Sequence, residues 1–213
     1  MMTMRQEVPL TLDDFLDPSQ VALIMWDFQK GLAGKALHAP EVIAAAQHLL
    51  AAAERAQVPV FWSRHILPPH HLMSGPFKLF MMKKQKVPNP DQLIPAMEAG
   101  MEDTHFVDGL APAPHHQVIE KSQPSFFVDT PLALRLRELG VRTIVLAGVA
   151  TDIGVEFTAR HAAALGFYSV IAEDATGSYT EEGQSRSIAF LRSWTSPVLS
   201  VSDIAAHWDR LAG

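Results

Sequence analysis

The feature that most constrains this chain is a repeated alternation of short, unbroken apolar runs with amphipathic stretches. Val21-Ala-Leu-Ile-Met-Trp26 carries no polar side chain and ends at an acid, as a strand covered on both faces would. Similar short runs stand at Val58-Pro-Val-Phe-Trp62, Gln117-Val-Ile119, Thr143-Ile-Val-Leu-Ala147, Tyr168-Ser-Val-Ile171 and Val198-Leu199. Helical stretches lie between them. One opens at Pro40, a residue tolerated in a first turn, and runs to Ala56. Others span Pro131 to Leu139, closed by Gly140, and Val155 to Leu165, stopped by Gly166. The last two cover Glu182 to Ser193 and the segment from Asp203 onward. Strand and helix in alternation predict an α/β fold with a mainly parallel sheet covered on both faces. With 213 residues, 48% of them hydrophobic, the chain can bury a full core as one domain over 1–213.

Composition narrows the chemistry. The chain has no cysteine, which excludes a disulfide scaffold, thiolate metal ligands and a thiol nucleophile. A formal net charge of −6 gives no electrostatic reason to expect nucleic acid or an anionic membrane as partner. The segment Met1 to Leu10 has no apolar signal core, and no apolar run approaches the roughly 20 residues of a membrane span. The expectation is a soluble, cytoplasmic protein that acts on a small molecule.

One stretch breaks the alternation. Leu67 to Pro90 contains Pro68-Pro-His-His71, Lys83-Lys-Gln-Lys86 and Pro88-Asn-Pro90. A long insertion in a compact α/β domain is either a functional lid or contact surface, or a packed surface loop. Its lysines are read as a solvated face in preference to an anion site.

In open α/β sheets the site lies beyond the carboxyl ends of the strands. Strand one ends at Asp27, strand three runs into Lys121, and strand four runs into Gly148-Val-Ala-Thr-Asp-Ile-Gly154. A carboxylate after an apolar strand is partly desolvated, which raises its pKa, and a nearby ammonium lowers it. An Asp–Lys pair in a cleft therefore holds a proton poised for transfer, unless it is a structural ion pair closing the top of the sheet. Trp62, Arg64, His65 and Phe126 follow or flank strand ends and are candidate pocket residues.

These motifs, in this order, resemble the isochorismatase-like, or cysteine hydrolase, superfamily. Trp26-Asp27-Phe-Gln29 is similar to its Asp-x-Gln motif, which implies Asp27 as catalytic acid or base with Gln29 beside the substrate. Glu120-Lys121-Ser-Gln-Pro-Ser125-Phe126 resembles the element carrying its active-site lysine. The turn from Gly148 to Gly154 resembles the one that bears the nucleophilic cysteine in most members, with glycine at that position here. The resemblance implies a three-layer α/β/α sandwich with a mainly parallel six-stranded sheet. It also implies a non-proline cis peptide at Val149-Ala150 and an oxyanion cradle from the Ala150 and Gly154 amides. The isochorismatases proper also have glycine at this position and cleave a vinyl ether by protonating carbon, whereas the Ala150-Thr-Asp152 turn is that of the cysteine amidases.

The reading that follows is a hydrolase without metal or cofactor, acting on an enol or vinyl ether with Asp27 as acid/base and water as nucleophile. Its rivals are C–N hydrolysis by activated water and a binding protein that has lost its thiol. Ser63-Arg64-His65, where nicotinamidases carry an Asp-x-His metal pair, lacks the anionic ligand, so no metal is expected, and His70 and His71 are read as solvated loop residues. Thr151, Ser63 and Ser125 are lesser candidates for a nucleophile. Many members form dimers or tetramers, which implies a homo-oligomer.

Overall fold

The computed structural model describes residues 8–194 and 196–211, so residues 1–7 of the N-terminal segment lie outside the description. Six strands form one sheet: β1 (Val21–Trp26), β2 (Val60–His65), β3 (Gln117–Lys121), β4 (Thr143–Val149), β5 (Tyr168–Gly177) and β6 (Val198–Leu199). Their order is β3-β2-β1-β4-β5-β6, and every pairing is parallel. The helices are α1 (Leu12–Leu16), α2 (Ala39–Arg55), α3 (Gly75–Gln85), α4 (Leu132–Glu138), α5 (Glu156–Ala164), α6 (Glu181–Ser193) and α7 (Val201–Leu211). No helix among the described residues is long and apolar enough to cross a membrane.

Strand side chains alternate between two cores, as the period of two requires. Leu23, Met25, Val145 and Ala147 pack toward α2 and α7, against Leu49 and Trp208. Ala22, Ile24, Trp26 and Leu146 pack the other way, toward α4, α5 and α6, against Leu136, Ala159 and Ile188. Fully burying one such aliphatic side chain contributes about 1.5–3 kcal/mol, so both faces stabilise the sheet strongly.

Besides α1, which the sequence pattern did not show, the structure departs from the sequence expectation in two places. Strand β5 continues six residues past Ile171, through the acids Glu173 and Asp174. Those carboxylates end the apolar run without ending the strand, because each has a partner. Glu173 pairs with Arg192, and Asp174 accepts the Val201 N–H at 2.8 Å where α7 begins. The second departure is α3, an 11-residue helix inside the stretch read as irregular. It opens with Gly75-Pro76, where a missing proline N–H costs nothing, and encloses a small core of Leu67, Met81, Leu93 and Met97.

Candidate functional site

Strand order reverses around β1, with β2 and β3 on one side and β4 to β6 on the other. A crevice therefore opens beyond the ends of β1 and β4, where Trp26 pairs in register with Gly148. A cavity of about 430 Å³ occupies this place, lined by Trp26, Asp27, His65, Lys121, Ala150 and Tyr179 among others.

Asp27 sits at its floor. Its backbone turns left-handed, φ 53°, and the Gln29 N–H closes a tight turn onto its carbonyl at 2.7 Å. This swings the carboxylate off the strand axis and into a dry site where it is 1% exposed. One oxygen accepts the Lys121 ammonium at 2.7 Å, and the other accepts the Ser63 hydroxyl. The register of β2 on β3 puts His65 beside Lys121, and the ammonium donates a second bond to His65 Nδ1 at 3.3 Å. With Nδ1 accepting, the imidazole proton resides on Nε2. Lys121 also lies 3.8 Å from the centroid of the Trp26 ring, a cation–π contact that offsets part of its lost hydration.

Burial dominates the protonation of this cluster. It raises the Asp27 pKa against the opposing pull of Lys121 and Ser63, and it lowers that of Lys121 against the pull of Asp27. Both shifts run toward the neutral forms, so the cost of moving one proton from Nζ to Oδ2 is reduced. Burial, aided by the Lys121 charge, holds His65 well below 6.5 and therefore neutral.

Trp26 and Gly154 meet face to face. Thr151–Val155 is a π-helical turn leading into α5, and Gly154 is buried in it. A Cβ on Gly154 would lie 1.8 Å from the Trp26 Cη2 atom, so the indole fills the space a side chain there would need. The Gly154 N–H donates to the Ala150 carbonyl at 2.9 Å, flanked by the Ile153 and Val155 amides at 3.3 Å on the same oxygen. The expectation that the Gly154 amide serves a bound anion is corrected accordingly: it closes the turn, beneath Trp26. Ala150 does line the cavity, and the Val149-Ala150 peptide is cis.

The other expected residues divide. Asp27, Lys121, His65 and Ala150 converge on the cavity. Gln29 is a buried strut behind it: its amide donates to the His65 and Thr104 carbonyls and accepts the His65 N–H at 2.6 Å. Trp62, expected in the pocket, points to the α2 face by strand alternation and donates to His116 Nδ1 at 3.1 Å. Phe126 is fully buried in the opposite core. Arg64 turns outward, stacked over Phe106 with Glu120 at 3.8 Å. Neither Ser63 nor Thr151 lines the cavity, and both are 0% exposed. Ser125 bonds His161 away from it. Sequence reasoning missed Trp26, Tyr179 and the whole α3 wall of Phe77, Phe80, Met81 and Lys84. The spacing of those four, i, i+3, i+4 and i+7, is the helical signal that was present.

The Ser63-Arg64-His65 segment does not fit a metal site. Ser63 is engaged by Asp27, Arg64 faces outward, and His65 Nδ1 already accepts from an ammonium. Among the described residues, Glu54, His115 and His116 are the group of three potential ligands near one another. There His116 Nδ1 accepts from both Trp62 Nε1 and the Ala113 amide, which places the ring proton on Nε2, the atom facing Glu54. A protonated Nε2 is no ligand, and this donor set is that of a structural His–Glu contact.

The fold and the strand-end site define an α/β protein with a small-molecule cavity over a buried acid–ammonium pair. The Isochorismatase domain model matches residues 21–203, and the chain belongs to the isochorismatase family, whose members are hydrolases. It is 32% identical over 200 residues to the isochorismatase family protein YecD of Escherichia coli O157:H7, covering 89% of this chain and 96% of that one. It is 30% identical over 177 residues to the ureidoacrylate amidohydrolase RutB of Methylobacterium radiotolerans, covering 76% and 68%. Among solved structures it resembles a cysteine hydrolase from Pseudomonas syringae pv. phaseolicola, with TM-score 0.80, 22% identity and coverage of 96% and 97%. It also resembles the nicotinamidase/pyrazinamidase PncA of Bacillus subtilis, with TM-score 0.71, 24% identity and coverage of 85% and 100%.

Proposed function

We propose that this protein is a small-molecule hydrolase that works without a thiol, with Asp27 as acid/base and water as nucleophile. The observation that carries the reading is the Trp26 indole seated on Gly154, beside a buried Asp27–Lys121 pair at the cavity floor. Gly154 stands where most of the superfamily has its cysteine, and here both the nucleophile and the room for one are absent. What remains in the cavity is a proton donor. The proton shared by the Asp27–Lys121 pair, placed on Asp27 by burial, goes to the enol carbon of a vinyl ether. Water adds to the oxocarbenium ion and its released proton returns to the Asp27–Lys121 pair, after which the hemiacetal or hemiketal collapses to alcohol and carbonyl. The Ala150 amide, beside the cis peptide, supplies a hydrogen-bond donor to negative charge on the substrate.

Attack of activated water on a C–N bond is the second reading. It is favoured by the Ala150-Thr-Asp152 turn and by the similarity to proteins named as an amidohydrolase and a nicotinamidase. Both readings need Asp27. Asp27→Asn should lower turnover by about 10²–10⁴-fold, the usual contribution of a positioned acid or base, with circular dichroism and the melting transition showing a folded protein. Because Asn leaves Lys121 buried without its counter-charge, the melting transition of Asp27→Asn/Lys121→Met shows how far that charge alone destabilises the fold. Undiminished turnover in either variant contradicts the assignment.

A further inference from the structure

The roof of the cavity carries cations that the floor does not use. Helix α3 presents Phe77, Phe80, Met81 and Lys84 to the cavity, and Lys35, from the short turn Ala33–Lys35 after β1, reaches the same rim. Both lysines are exposed, and among the described residues no carboxylate lies within ion-pairing distance of either. The Lys84 ammonium stands 5.5 Å over the Tyr179 ring, which orients it across the mouth. Of the cavity's two acids, one is fully engaged and the other holds a partner through one oxygen only. Asp27 belongs to Lys121 at 2.7 Å, and Asp103 on the wall accepts the Met97 amide at 2.9 Å.

We propose that Lys84 and Lys35 form a seat for an anionic group at the cavity mouth, so that the substrate is a largely apolar small molecule bearing a carboxylate. The inference rests on the hydrolase reading for the word substrate, but its geometry is independent of the chemistry below. The cavity is lined mainly by apolar side chains, with Leu32, Leu67, Met97 and Ile153 completing the aromatic wall of α3. An apolar body fills that space with its reacting bond over Asp27, and its carboxylate meets two ammonium groups that have no carboxylate partner among the described residues. The unpaired, buried Oδ1 of Asp103 adds an acceptor on the wall and disfavours a second anionic group there. The electrostatic environment agrees. Partial desolvation and the like charge of Lys35 hold Lys84 below its usual 10.5, and the Lys84 charge is felt at His65. An arriving anion relieves this repulsion.

The test is calorimetric binding of a matched pair of probes, 2-naphthoate and the neutral 2-naphthamide, to the full chain at neutral pH. Asp27→Asn protein is included so that binding is read without turnover. The carboxylate should bind about tenfold more tightly than the amide, as expected for a charge-assisted contact at a partly exposed rim. Lys84→Gln should remove most of that preference, and Lys84→Gln/Lys35→Gln all of it, while the amide affinity stays unchanged and reports an intact cavity. Raising the pH toward 10.5 should erode the preference in the parent protein as Lys84 loses its proton. Equal or tighter binding of the amide, absence of saturable binding by the carboxylate, or a preference that survives in the double variant overturns the proposal. A carboxylate preference in a protein that hydrolyses neither vinyl ethers nor amides overturns the hydrolase reading alone.

Discussion

The floor of the cavity is made of side chains that end buried strands, whereas its roof is one face of an 11-residue helix inserted after β2. On the floor, register decides everything: Trp26 lies opposite Ser63 and Gly148, and His65 lies opposite Lys121. The Asp27 carboxylate and the Lys121 ammonium are held by neighbours whose positions the sheet fixes. On the roof, Phe80 is 45% exposed and Leu79 beside it 52%, and α3 is anchored by a four-residue core of its own. The difference teaches how the two parts divide the work. The floor can hold a proton at a defined atom because it cannot relax, and the roof can vary in what it recognises without disturbing the sheet.

The largest stability effect that would break this comparison lies in the floor. Gly154→Cys places its Cβ on the Trp26 indole and should destabilise the protein by about 1–3 kcal/mol, read by chemical denaturation. Its thiol should stay unreactive toward a disulfide reagent until Trp26→Ala is added, and the double variant should recover part of the stability lost. A Gly154→Cys protein of unchanged stability with a freely reactive thiol would show that the indole does not close the site.

A smaller effect follows from His65. The folded protein keeps this ring neutral well below 6.5, so the unfolded chain binds a proton there that the fold does not. Its contribution is complete above 6.5 and is lost as pH falls from 6.5 through the depressed folded value. His116, also lowered by burial, acts in the same direction. The readout is therefore the difference between parent and His65→Gln, whose stability should fall less steeply on acidification. Identical acid limbs would place His65 in water instead.

The smallest effect belongs to the roof. Lys84→Gln should change the unfolding free energy by no more than about 1 kcal/mol, because this exposed lysine has no ion-pair partner among the described residues and only the Tyr179 ring beside it. A loss of several kcal/mol would mean that α3 is part of the floor's architecture.

What was legible in the sequence follows the same division. Apolar runs that end at Asp27, Lys121 and the turn from Gly148 identify the strands, and a parallel sheet brings their ends together, so the acid–ammonium pair was readable before any coordinates. Side-chain direction was less so. Trp62 and Trp26 each stand at or near a strand end, and only the register shows that Trp62 enters the α2 core while Trp26 covers Gly154. Gly154 reads as a vacancy in the sequence, and the structure shows it occupied by a neighbour's ring. Tyr179 was hidden because β5 runs on through two acids, and α3 because prolines and lysines masked a helical spacing of Phe77, Phe80 and Met81.

In the proposed mechanism Asp27 delivers a proton to substrate without a thiol. The most direct measurement is NMR of the parent protein in D₂O with a panel of vinyl ethers and matched primary amides. Deuterium is expected at carbon in the product of vinyl ether cleavage, and none with Asp27→Asn. Ammonia release from amides with no deuterium entering carbon would contradict this mechanism and leave Asp27 as the base that activates water.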